Sequence, residues 1–266
     1  MLIIENILRW SSVFFSGVTA GLYLSYFPQQ RSFNKKTLSF FLGITLSVFT
    51  GFLIVRGVHY ERCPFGTVFE ALSYTAWNIL LMYMVLELLI KEKNFGCFII
   101  PLISVMQIIA AIWLDRQPID LEFFESPFFP MHVSFILMAY AFFLFSFISS
   151  ILYFVQSYSL KAKNVNLLFS HLPDLESLDK IILYSAYLGV GLLAIGTAFG
   201  QIWTIQVQKQ STVNVKMLLT LLLGGVYVLQ LILRKMFNWR GKRFVAFSAI
   251  GFIILVLTFA VGGHGN

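Results

Sequence analysis

Four histidines are the residues best suited to chemistry in this chain of 266 residues: His59, His132, His171 and His264. Imidazole is the usual protein ligand for haem iron, and two histidines on different helices can hold one iron from its two faces. His132 opens one apolar run and His264 follows the last one, so a helical bundle could bring that pair to one surface. The spacing leaves a second reading open. Each histidine could be an interfacial anchor with one nitrogen in water, and His264 could sit in a frayed tail. His59 and His171 read as loop residues. The other candidate is Glu70, a carboxylate near the start of an apolar run that needs a charged partner or a wet cavity, with Arg62 as its counter-ion.

The elements that must position these residues follow from composition. The chain is 58% hydrophobic and 12% charged, with 29 Phe and 11 Tyr, and its mean hydropathy is +0.82. A soluble surface alone wants roughly a quarter to a third charged residues, so most of this chain is solvated by lipid. Apolar runs near 7–27, 37–56, 67–90, 96–114, 131–157, 181–205, 215–233 and 244–262 are each long enough to cross a bilayer as a helix. None shows the two-residue alternation of a barrel strand. The expectation is an all-α polytopic membrane protein, a bundle of about eight transmembrane helices forming a single integral membrane domain over 1–266. The first run has no small-residue cleavage site after it and reads as a retained span rather than a signal peptide.

The net charge of +7 does not point to nucleic acid, because the cations fall in short loops between spans. One side collects Arg31, Lys35, Lys36, Lys91, Lys93, Lys161, Lys163, Lys180 and the cluster Arg234, Lys235, Arg240, Lys242 and Arg243. The other keeps Arg9, Arg56, Arg62, Arg116, Lys209 and Lys216, and its longest loop carries Asp115, Asp120, Glu122 and Glu125. The positive-inside rule then places both termini outside the cytoplasm. On this topology His59, His132 and His264 lie at the outer side and His171 is cytoplasmic. Cys63 and Cys97 lie on opposite sides and cannot bridge. Within the spans, Glu87 is expected to snorkel beside Lys91, and Gln107 and Gln230 to act as interhelical hydrogen-bonding glue.

No CxxC, CxxCH, phosphate-binding loop, GxGxxG or HExxH occurs. These absences remove the thioredoxin-like, c-type cytochrome, nucleotide-binding and zinc-protease readings, and no catalytic residue is assigned.

Several segments together resemble the cytochrome c assembly family of membrane haem-handling proteins, the CcsA, ResC and HemX type. The likeness spans about 56–264. Cys63-Pro64-Phe65-Gly66-Thr67-Val68-Phe69-Glu70-Ala71-Leu72 with Trp77 is similar to the family's P-L-S-N-L-Y-E-S-L segment ahead of a Trp. His132-Val133 with Ala139-Tyr140 looks like its H-V-x5-A-Y span. Leu172-Pro173-Asp174-Leu175-Glu176-Ser177-Leu178-Asp179 resembles its L-P-x-L-E-x-L-D lead-in, and Gly196, Gly200 and Trp203 resemble its G-x3-G-x2-W ending. Trp239-Arg240-Gly241-Lys242 with Gly251-Phe252 is similar to its G-W-R-G-R loop and G-F span.

The resemblance implies a protein that presents haem b at the outer face for attachment to apocytochrome c, with His132 and His264 as axial ligands, Trp203 at the haem, and a second membrane subunit as partner. The chain departs from the pattern after Trp203. The family's W-G-x-x-W-x-W-D loop is replaced by residues 204–216, which hold no tryptophan and have Asn214 where the aspartate would be. The seventh span offers Gln230 or Ile232 near the family's intramembrane histidine. Two alternatives stand beside the first reading: a HemX-like regulator of haem biosynthesis, and an ion-coupled transporter using Glu70.

Overall fold

The computed structural model describes residues 1–27, 34–90, 93–113, 126–161, 173–208, 215–237, 239 and 242–262. The described residues form helices and turns with no strand: α1 (Leu2–Tyr26), α2 (Lys35–His59), α3 (Val68–Ile90), α4 (Gly96–Trp113), α5 (Phe128–Lys161), α6 (Leu175–Gln208), α7 (Val215–Phe237) and α8 (Lys242–Gly262). Each coincides with one expected span. The largest departures are α5 and α6, 34 residues each and therefore about 50 Å long, well beyond the roughly 30 Å of a hydrocarbon core. Apolar runs mark the lipid-crossing part of a helix, whereas the helix itself continues until a cap stops it. At the start of α6 that cap is Asp174, which accepts from Ser177 N at 3.0 Å and from Ser177 Oγ at 2.6 Å. At α2 it is Asn34, whose side chain accepts from Lys36 N at 3.0 Å.

Six helices, α2 to α7, are long and apolar enough to cross a membrane, and the chain is a multi-pass membrane protein. The side chains of α1 show the same solvent reversed. Leu2, Ile3, Ile4, Ile7, Trp10 and Phe14 are exposed, while Glu5, Ser12, Ser16, Thr19 and Tyr23 on one face are buried. A water-soluble helix hides its apolar stripe; α1 hides its polar one, as a helix packed in lipid does.

The chain forms two compact units, one comprising Met1–Leu121 with His171–Pro173 and the other Glu122–Ser170 with Asp174–Asn266. In unit one α1 packs on α2 and α4, and α3 packs on α4 and α2. Each helix thus touches two others, as in an up-and-down four-helix bundle. Small polar side chains lock this bundle: Thr19 and Thr45 pair through their Oγ1 atoms at 2.7 Å, and Ser104 Oγ donates to Ser16 O at 2.9 Å.

Unit two repeats the pattern, with α5 on α6 and α8, and α7 on α6 and α8. Its packing is aromatic. Phe143 stacks on Tyr227 at 4.0 Å and Phe147 on Phe252 at 4.1 Å. Gly189 and Gly251 make room, since a Cβ on either would come within 2.5 Å of the Phe143 or Tyr227 ring.

Candidate functional site

In unit one, the turn after α2 builds the first cluster. Glu61 adopts a left-handed conformation (φ 52), and Arg62 N donates back to Gly57 O at 3.1 Å, closing the helix in a Schellman turn. That turn returns the Arg62 side chain toward α3, which opens with a reciprocal cap. Glu70 N donates to Thr67 Oγ1 at 3.1 Å, and the Glu70 carboxylate accepts from Thr67 N at 3.2 Å and Gly66 N at 2.8 Å. This is a capping box, Thr67-x-x-Glu70.

Glu70 is only 1% exposed and both of its oxygens are engaged by cations. Arg62 grips it bidentately, Nη1 to Oε2 at 2.7 Å and Nη2 to Oε1 at 2.9 Å, and Arg56 Nε donates to Oε1 at 2.7 Å. Arg56 extends the chain of charge by donating Nη1 to Glu5 at 2.5 Å, and His59 Nδ1 lies 2.6 Å from the other Glu5 oxygen. The Tyr60 ring lies 4.6 Å from the Arg56 guanidinium carbon and 5.4 Å from that of Arg62. Two carboxylates thus meet two guanidiniums, with satisfied hydrogen bonds, which is what a buried ionic cluster requires. His59 ends α2 rather than lying in a loop.

The opposite end of unit one holds a second buried carboxylate. Glu87 is 4% exposed and does not snorkel. Lys93 Nζ reaches it at 2.5 Å, Ser39 Oγ at 2.7 Å and Tyr83 OH at 2.8 Å, and Tyr23 OH also donates to it. The expected neighbour, Lys91, lies outside the described residues. Gln107 makes no direct hydrogen bond to another helix, because neither of its amide atoms has a partner among the described residues. Cys63 and Cys97 are both free. Burial pushes the Cys63 thiol up, against the opposing pull of Arg62.

His132 belongs to unit two, in the first turns of α5. Its Nδ1 lies 2.7 Å from Gly196 O on α6. A carbonyl only accepts, so Nδ1 carries the proton and Nε2 of the neutral ring keeps its lone pair. Anchoring one imidazole nitrogen on a backbone carbonyl is how proteins orient the other toward a metal. The approach depends on glycine. A Cβ at Gly200 would sit 2.5 Å from His132 Nδ1, and one at Gly196 would sit 3.0 Å from Ile136. Aromatic rings gather nearby: Phe129 and Trp203 are 5.1 Å apart, and Phe135 stacks on Phe199 at 5.7 Å. The donor set therefore fits one axial ligand of a haem iron, and Trp203 lies on the same helix as the glycines that seat His132. His264 and His171 lie outside the described residues. No group of three or more His, Cys, Asp or Glu able to hold a metal ion occurs among the described residues.

Sequence reasoning named Glu70, Arg62 and His132 but missed Glu5, Arg56, Tyr23, Tyr83, Ser39 and Lys93. Two signals were available. Thr67-x-x-Glu70 just ahead of an apolar run is a capping-box pattern. The residues Glu5, Ser12, Ser16, Thr19 and Tyr23 recur at helical spacing and so mark a polar, inward face.

The chain is similar to known proteins over most of its length. It is 24% identical to Protein HemX of Brevibacillus brevis over 246 residues, which covers 90% of each chain. It is 24% identical to Protein HemX of Bacillus subtilis over 206 residues, covering 76% of this chain and 74% of that one. A match to the cytochrome c biogenesis protein CcsA of Pelargonium hortorum is 23% identical over 248 residues, covering 80% of this chain and 78% of the other. The family model described as cytochrome C assembly protein matches residues 65–262, a stretch that includes Glu70, His132, Gly196, Gly200 and Trp203. The chain belongs to the cytochrome c assembly protein family.

Proposed function

We propose that this protein handles haem b in cytochrome c biogenesis, presenting it at the outer face of a bacterial-type inner membrane for attachment to apocytochrome c. In this reading both termini lie outside the cytoplasm, His132 and His264 are the axial ligands, and a second membrane subunit completes the assembly site. The observation that supports it is the His132 Nδ1 to Gly196 O hydrogen bond on the glycine-spaced face of α6, which leaves Nε2 as the free donor. Bound haem supplies the vinyl groups to which cytochrome thiols attach. The protein's own residues would hold it, His132 through Nε2 and Trp203 as an aromatic neighbour.

The test is an absorption spectrum of the detergent-purified chain, oxidised and dithionite-reduced, with a pyridine haemochrome assay. The expected result is a low-spin b-type spectrum near about one haem per chain, lost in His132→Ala and in His264→Ala. Haem content unchanged by both substitutions sinks the ligand assignment.

A second reading, a HemX-like regulator of haem biosynthesis, is favoured by two observations: two of the matched relatives are HemX proteins, and residues 204–216 lack tryptophan. It predicts altered tetrapyrrole levels on deletion with mature cytochromes c unaffected. The transporter reading draws less support, because Glu70 is held by two guanidiniums and two backbone amides, the arrangement of a structural anchor rather than of an exchanging proton site.

A further inference from the structure

A small cleft opens inside unit one, lined by Arg9, Ser12, Phe52, Ser73, Gln107 and Ala111 among others. Three of these residues stand one helical turn from the Glu5–Arg56–Glu70 cluster. Arg9 follows Glu5 by four positions, Phe52 precedes Arg56 by four, and Ser73 follows Glu70 by three, so the cleft lies about 5 Å deeper along all three helices. Its enclosed part has room for about one water molecule.

The cleft also holds an unmet demand. Gln107 is 2% exposed, yet neither Nε2 nor Oε1 has a hydrogen-bond partner among the described residues. A buried amide left without partners is costly, more so in a low-dielectric interior. Ser73, 3% exposed, borders the same space from α3, while Gln107 borders it from α4.

We propose that this cleft is a buried hydration site that takes one water molecule, bound between the Gln107 amide on α4 and the Ser73 hydroxyl on α3, directly beneath the ionic cluster. Water suits the site better than an anion does for two reasons. Gln107 presents an acceptor as well as a donor, and water answers both whereas an anion would face Oε1 with like charge. The neighbouring cluster is already matched, two carboxylates against two guanidiniums. A bridging water of this kind ties α3 to α4 by a polar contact that neither side chain makes directly.

Two measurements on the full chain test this. The first is a structure in lipid nanodiscs or crystals grown with bromide, at a resolution that shows ordered water. A water-sized peak within hydrogen-bond reach of Gln107 and Ser73, without bromide anomalous signal, is expected. A bromide peak at that position, or an empty cleft, overturns the proposal. The second is a double-mutant cycle read by thermal unfolding in detergent. Ser73→Ala should lower Tm by about 2–4 °C in the wild-type background and leave it unshifted in the Gln107→Leu background, because the shared water is already gone. Equal shifts in both backgrounds mean that the two residues share no water.

Discussion

Unit one and unit two wind four helices in the same order, but they differ in what fills the space between them. Unit one buries charge at both ends, Glu5, Arg56, Arg62 and Glu70 at one and Glu87 with Lys93 at the other, and links them with hydroxyls along α1. Unit two is filled by stacked rings set against glycines, and its Arg234–Asp179 pair, at 2.7 Å, is more exposed, 13% for each side chain. In lipid, apolar side chains gain little by turning inward, so helices associate through polar contacts or through close packing. Unit one relies on the first, whereas unit two combines close packing with an uncharged polar contact, Ser150 Oγ to Ser248 Oγ at 3.0 Å. The unit that packs closely is also the one that positions an imidazole with a free nitrogen.

The sharpest way to break this comparison is to remove one charge from each unit. Glu70→Ala leaves Arg56 and Arg62 buried without their shared carboxylate and should cost about 3–5 kcal/mol. Asp179→Ala in unit two, at a more exposed pair, should cost about 2 kcal/mol. Thermal unfolding of both variants in one detergent checks the order; equal losses would remove the distinction between the units.

Glycine substitutions probe the other half of the contrast. Gly200→Ala drives a Cβ against His132 and should destabilise by about 1–3 kcal/mol, displacing the ring from Gly196 O. Gly191→Ala, with open space around the added atom, should be neutral or stabilise by up to about 1 kcal/mol. A haem titration of the Gly200→Ala variant extends the test to function, since bound haem should fall with the displaced ligand.

Smaller effects sharpen the account of the charged end of unit one. Thr67→Ala removes one half of the capping box and should cost about 1 kcal/mol, whereas Glu61→Gly relieves a left-handed backbone and should stabilise by about 1 kcal/mol. Unfolding midpoints that move in the same direction would contradict the geometry of this turn.

The smallest expected effect is pH-dependent and belongs to unit two. Hydrogen bonds from Ser177 hold the Asp174 carboxyl below its ordinary range. A group whose folded pKa is lowered adds stability above its unfolded value, near about 3.9, and loses it as pH falls through the folded value. Ser177→Ala should therefore be less stable than wild type at pH 6, with the gap closing below about pH 4. A gap that persists unchanged into strong acid would show that Asp174 contributes nothing through its charge.

The helices were legible in the sequence because each is a local property. A run of apolar residues long enough to cross lipid declares itself within one window, and α1 to α8 fall where those windows lie. His132, Glu70 and Arg62 were legible for the same reason, as polar residues placed against apolar runs. What stayed hidden were the meetings. Glu87 was matched with a neighbour along the chain, but Tyr23 and Ser39 reach it from two other helices.

By itself, then, the amino-acid order determined the class of the protein, its helical spans, its family segments and the residue types able to ligate iron. Only the tertiary structure decided that Arg56 joins Glu5 to Glu70, that Gly196 orients His132, and that Gln107 borders a cleft without a partner. The physical reason is range. Partition into lipid and helix formation act over a few turns of one chain segment, whereas a buried charge finds its counter-ion wherever packing brings one within about 3 Å, here across separations of up to 55 residues.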